Sequence, residues 1–104
     1  MRLFRNKQED PAIQNDEVRM RIVFTGIVQG VGFRYEVSKL AKDLELSGWV
    51  QNQYDGSVLC ELQGPREKII FLIHQLVIMP RLHIDSVDKK IIPKTKEKGF
   101  RVRY

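Results

Sequence analysis

An arginine that ends a glycine-rich run, and an asparagine further along the chain, are the residues here whose types and spacing could do chemistry. The run is Gly26-Ile27-Val28-Gln29-Gly30-Val31-Gly32-Phe33-Arg34. Glycines admit positive φ, so successive backbone N–H groups of such a segment can converge on one point. Where the segment enters a helix, the helix N-terminus adds about half a positive charge. Arg34 supplies a fork of donors that can grip two oxygens of a phosphoryl group at once. These features suit a small phosphate-like anion. Taken alone, the same pattern also describes a tight strand-to-helix turn with a solvated arginine.

Other phosphate-binding patterns do not fit. The segment lacks the Gly-Lys-Ser/Thr ending of a P-loop, and its glycine spacing is not that of the dinucleotide fingerprint. It also holds no His, Asp, Glu or Cys, so neither a nucleophile nor an obvious base is at hand. His74 and His83 have no partner at metal-ligand spacing and are expected at the surface. One cysteine, Cys60, permits no intrachain disulfide and no four-cysteine zinc site, and its strand neighbours Val58 and Leu62 predict a buried thiol. Neither a metal nor a cofactor is expected. Trp49 and Tyr54, which flank Asn52, are expected to fill the core or cover the sheet.

The elements that must position these residues follow from periodicity. Val18, Met20, Ile22 and Phe24 alternate with Arg19, Arg21, Val23 and Thr25, which predicts a half-buried strand over 18–25. Phe33, Val37, Leu40, Ala41 and Leu44 form one helical face, with Gly48 expected as its C-terminal glycine. Strand character resumes over 49–54. Asp55-Gly56 predicts a type I′ hairpin into a strand over 57–63. Pro65 can open a second helix with Ile69, Leu72, Ile73, Leu76 and Val77 as its buried stripe, and Pro80 marks its end. A strand over 82–92, a charged loop over 93–99 carrying solvated Lys94, Lys96 and Lys98, and a closing edge strand of Phe100, Val102 and Tyr104 complete the order. That order, βαββαβ plus a short strand, predicts an α+β, ferredoxin-like sandwich: two helices on one face of a mostly antiparallel sheet of four to five strands. Residues 1–16 carry both charge signs and no sustained period, and are expected to be a flexible N-terminal extension to a domain over 17–104.

Composition sets outer limits. A chain of 104 residues with 42% hydrophobic and 30% charged residues can form one core, and no apolar run approaches a membrane span. No signal-peptide pattern opens the chain, so a cytoplasmic location is expected. The net charge of +5 favours anionic partners, either nucleic acid or small phosphorylated molecules. An RNA-binding platform requires adjacent aromatics on the central strands. The strand over 57–63 offers only Ser57, Leu59 and Glu61 on one face and Val58, Cys60 and Leu62 on the other, so nucleic acid is disfavoured as a partner.

The segment from Gly26 to Arg34 resembles the first signature of the acylphosphatase family, Gly-x-Val-Gln-Gly-Val-x-Phe-Arg. Gly48-Trp49-Val50-Gln51-Asn52-Gln53-Tyr54-Asp55-Gly56-Ser57-Val58, with Gly64 following, is similar to the second. The resemblance spans 17–104. It implies hydrolysis of the carboxyl-phosphate anhydride of acyl phosphates, releasing carboxylate and inorganic phosphate without a metal. Arg34 and Asn52 would be catalytic: the amides of Gln29, Gly30, Val31, Gly32, Phe33 and Arg34, with the Arg34 side chain, would hold the phosphoryl group, and Asn52 would orient the attacking water. A freestanding monomeric enzyme is expected rather than one domain of a larger hydrogenase-maturation protein, since paired zinc-module cysteines are lacking. The alternative on the same fold is a non-catalytic anion- or RNA-binding module.

Overall fold

The computed structural model describes residues 16–104. The elements are β1 (Glu17–Ile27), α1 (Phe33–Asp43), β2 (Ser47–Asn52), β3 (Val58–Pro65), α2 (Arg66–Val77), β4 (His83–Ile92) and β5 (Phe100–Arg103). One five-stranded sheet runs in the order β4-β1-β3-β2-β5, antiparallel throughout except for the parallel β2–β5 pair. Both helices cover one face, as the α+β reading requires. The extension expected over 1–16 lies outside the described residues apart from Asp16. That residue accepts from the Arg66 N–H at 3.0 Å and from Arg66 Nε at 3.1 Å.

Strand periodicity decides what fills the layer between sheet and helices. Ile22 and Phe24 of β1, Val50 of β2, and Val58, Cys60 and Leu62 of β3 are fully buried against Phe33, Val37 and Ala41 of α1 and Ile69, Leu72 and Leu76 of α2. Val77, expected in the buried stripe of α2, is instead 48% exposed. Ile69, Leu72, Ile73 and Leu76 already complete the sheet-facing arc, and Val77 lies past its edge. Burial pushes the Cys60 thiol up, as befits a packing residue in the core.

Two turns differ from expectation. The α1 helix ends on Glu45 rather than Gly48: Glu45 takes the left-handed conformation at φ 59°. The Leu46 N–H reaches back to the Ala41 carbonyl at 2.8 Å and the Glu45 N–H to that of Lys42 at 3.1 Å. That bonding is a Schellman closure. Gly48 serves β2 instead, where a Cβ would sit 1.8 Å from the Glu61 carbonyl oxygen.

The hairpin between β2 and β3 is present, but its turn is not type I′. Among the described non-glycine residues only Glu45 has positive φ, so Asp55 stays in the ordinary region and Gly56 alone, at φ 93°, turns left-handed. The Gly56 N–H donates to the Gln53 carbonyl at 3.2 Å and the Gln53 N–H to that of Ser57 at 2.9 Å, which is a three-residue loop with a glycine bulge. Asp55 stabilises it by accepting from the Ser57 N–H and hydroxyl at 2.9 and 2.6 Å, bonds that lower its carboxyl below the usual range. Tyr54, at the tip, is fully exposed and neither fills the core nor covers the sheet.

On the helix-free face, Trp49 covers the sheet, buried beneath Arg103, and the other buried side chains owe their burial to ionic pairing. Arg19 is 1% exposed and donates to Glu61 at 2.8 Å and to Glu97 at 2.7 Å, while Arg21 shares Glu61 at 2.6 Å. Gln63 exchanges two 2.9 Å hydrogen bonds with the Thr95 backbone. The 93–99 loop is therefore fastened over the sheet through Thr95 and Glu97, while Lys94, Lys96 and Lys98 face solvent. This fastening fixes the entry into β5. From there the Gly99 carbonyl accepts from the Gly48 N–H at 3.0 Å.

Candidate active site

The crossover from β1 into α1 opens on a cavity of about 310 Å³. Gly30, Gly32, Phe33 and Arg34 line it from the loop and the start of α1, Tyr35 and Ser38 from α1, Asn52 from β2, Val102 from β5 and Tyr104 from just past it. The loop residues belong there because Gly30 and Gly32 take φ of 77° and 79°, a reversal that residues with a Cβ rarely adopt. Gly32 is the N-cap of α1 and provides no side-chain cap. From Gln29 to Arg34, no backbone N–H makes a close, well-aligned hydrogen bond within the described residues. Donors of the loop and of the helix N-terminus are thus available to solvent or a ligand.

Phe33 anchors this arrangement from below. Its ring is buried and meets Phe24 edge-on at 4.9 Å, so the loop's last residue is tied to β1 while Arg34, one residue on, turns to the cavity. Gln29 ties the loop to the hairpin: its Nε2 donates to the carbonyls of Gln53 and Ser57 at 2.8 and 2.9 Å. That side chain is therefore a brace between the loop and the strand that carries Asn52. Neither Gln29 nor Val31 lines the cavity; of the residues singled out from sequence, Gly30, Gly32, Phe33, Arg34 and Asn52 do.

Asn52 lies on the helix-facing side of β2, in step with Gly48 and Val50. Its Oδ1 is buried and has no hydrogen-bond partner among the described residues. A second depression, lined by Gln51, Asn52, Gln53, Tyr54 and Tyr104, meets the first at Asn52 and Tyr104. No Asp or Glu side chain lines either space, and Arg34 is the cationic side chain in the first. Among the described residues, no cluster of three or more His, Cys, Asp or Glu side chains could hold a metal ion. Sequence reasoning did not single out Ser38 or Tyr104 for this cavity, although Phe100, Val102 and Tyr104 share one strand face and so announce the side to which Tyr104 points.

Fold and cavity define a class: a small α+β domain with a glycine-lined cavity at its first crossover that presents Arg34 and no Asp or Glu side chain. Residues 20–102 match the family model described as Acylphosphatase. An acylphosphatase of Bifidobacterium longum is 46% identical over 90 residues, covering 83% of this chain and 92% of the relative. The structure of an acylphosphatase from Coxiella burnetii superposes with a TM-score of 0.78 at 33% identity, covering 89% of this chain and 99% of that one. The acylphosphatase of Bacillus subtilis gives the same TM-score at 29% identity, covering 84% and 99%. The chain belongs to the acylphosphatase family. It is an enzyme that hydrolyses acyl phosphates to carboxylate and inorganic phosphate, and no helix among its described residues is long and apolar enough to cross a membrane.

Proposed function

We propose that Arg34 and the amides of Gln29 to Arg34 hold the phosphoryl group of the acyl phosphate, and that Asn52 orients the water that attacks it. The observation that carries this reading is that Gly30, Gly32, Phe33 and Arg34, whose backbone N–H groups make no close hydrogen bond within the described residues, line one cavity together with Asn52. Donors and guanidinium offset the phosphoryl charge, which is the main demand of phosphoryl transfer. The amide of Asn52 can accept from water at Oδ1 and donate through Nδ2 without adding negative charge near the substrate.

The reaction then balances simply. Water oxygen bonds to phosphorus, the bond from phosphorus to the acyl oxygen breaks, and the leaving group departs as a weakly basic carboxylate. No general acid is required, in keeping with a cavity lined by neither His, Asp, Glu nor Cys. The water's proton passes to a phosphoryl oxygen or to solvent. Because the leaving group is already good and Arg34 supplies the charge, turnover needs no metal. The enzyme acts as a cytoplasmic monomer, with residues 17–104 as its functional domain. The RNA-binding alternative gains no support from the open sheet face, where Arg19 and Arg21 are taken up by Glu61, and Trp49 lies beneath Arg103 at 4.0 Å.

Hydrolysis of benzoyl phosphate in excess EDTA, set beside that of p-nitrophenyl phosphate, tests this reading. Rapid, chelator-resistant turnover of the anhydride, lost in Arg34→Lys, is the expected result. Chelator-sensitive turnover, or full activity in Arg34→Lys, overturns it.

A further inference from the structure

A second arginine reaches the phosphate loop from outside the cavity. Arg81, in the turn between α2 and β4, donates through Nη1 to the Val31 carbonyl at 2.6 Å. Its Nη2 pairs with the carboxylate of Glu36 in the first turn of α1. The two acceptors flank Gly32, where the loop becomes helix, and a Cβ on Gly32 would lie 3.5 Å from Arg81 Nη1. Arg81 does not itself line the cavity, whereas Gly32 does.

Peptide planarity turns this contact into a constraint on the loop. The Val31 carbonyl and the Gly32 N–H belong to one planar trans unit and point in opposite directions. A carbonyl held outward on Arg81 therefore sends the Gly32 N–H toward the cavity side. With glycine on one side of this peptide, little else opposes its rotation. Glu36 balances the charge of Arg81, so the pair adds little net field at the site and acts through geometry.

We propose that Arg81 is a positioning residue for this enzyme: by spanning Val31 and Glu36 it locks the 31–32 peptide and presents the Gly32 N–H to a bound phosphoryl group. The proposal rests on the reading that the 29–34 loop holds that group. Arg81→Ala and Arg81→Lys test it, through kcat and KM for benzoyl phosphate and the Kd of inorganic phosphate from calorimetry. Lysine keeps the charge but lacks the planar fork that sets one nitrogen on each acceptor.

Both variants are expected to raise KM and the phosphate Kd by about fivefold with little change in kcat or melting temperature. In wild type, the Gly32 amide resonance should shift when phosphate is added. Wild-type behaviour of Arg81→Lys would assign the effect to charge alone, and unchanged phosphate binding in Arg81→Ala would remove it; either overturns the proposal. Should Arg81→Ala fail to fold, Glu36→Gln decides. That change removes a negative charge, so a purely electrostatic role predicts tighter phosphate binding, whereas loss of the clamp predicts weaker binding. Tighter or unchanged binding there also overturns it. Phosphate binding by a protein inactive on benzoyl phosphate would sink the catalytic reading and leave the role of Arg81 open to the same measurement.

Discussion

The guanidinium of Arg34 stands over the ring of Tyr104, 5.0 Å from its centroid. A ring beneath the guanidinium restrains its position while leaving N–H donors free for a ligand. A cation–π contact at an exposed site contributes about 0.5–1 kcal/mol, equivalent to a factor of about two to five in binding. Tyr104→Leu should therefore raise KM for benzoyl phosphate by about that factor, while Tyr104→Phe, which keeps the ring, should not. Equal effects of the two changes would point to the hydroxyl instead.

Asn52 carries a buried oxygen without a partner among the described residues, and such a group costs about 1–3 kcal/mol. If the chain retains it to place a water, removing it should harm catalysis without harming the fold. Asn52→Ala is expected to lower kcat by about 10²-fold, the scale of a misplaced reactant, with an unchanged or higher melting temperature. A fall in melting temperature that accompanies the fall in kcat would make Asn52 a structural residue.

What the sequence made legible was whatever depends on local period. Phe33, Val37 and Ala41 mark the buried face of α1 because a helix repeats every 3.6 residues, and Phe100 and Val102 share a face of β5 because a strand alternates. Arg34 and Asn52 were legible through their signatures, and the cavity contains both. The buried Arg19 was not, since its partners Glu61 and Glu97 lie 42 and 78 residues away and only sheet pairing brings them together. Arg81 was hidden for the same reason: nothing near it in sequence says that the α2–β4 turn meets the phosphate loop. Gly48 was misread because a glycine just past a helix resembles a cap, whereas its need arises from the Glu61 carbonyl on the neighbouring strand.

That need gives a contrast between two glycines. Alanine at Gly48 would place its Cβ 1.8 Å from backbone, at φ 138°, and sheet pairing on β3 prevents relief. Gly30 also has positive φ but has open space around it, so alanine there meets only the left-handed penalty of about 1–2 kcal/mol. Chemical denaturation should show Gly48→Ala losing markedly more stability than Gly30→Ala. The activity assay should reverse the emphasis for folded protein, with Gly30→Ala impaired because the loop amides no longer converge.

The last prediction concerns acid. Burial alone would raise the Glu61 carboxyl, but hydrogen bonds from Arg21 and Arg19 outweigh it and hold the group below its ordinary value. A carboxyl depressed in the folded state adds stability that is present above its unfolded value of about 4.3 and is lost as pH falls through the folded value. The melting temperature should therefore drop below about pH 4, and Glu61→Gln should flatten that acid limb. At neutral pH the same change leaves Arg19, 1% exposed, with Glu97 as its remaining carboxylate, and breaking a buried pair typically costs about 3–5 kcal/mol. Replacing Arg19 and Glu61 together by Met should recover part of that loss, because only Glu97, left with Arg101 at 3.4 Å, then stays poorly paired. If instead the double variant is as unstable as Glu61→Gln while the acid limb keeps its slope, the 93–99 loop is held by Gln63 and Thr95 and not by the charges.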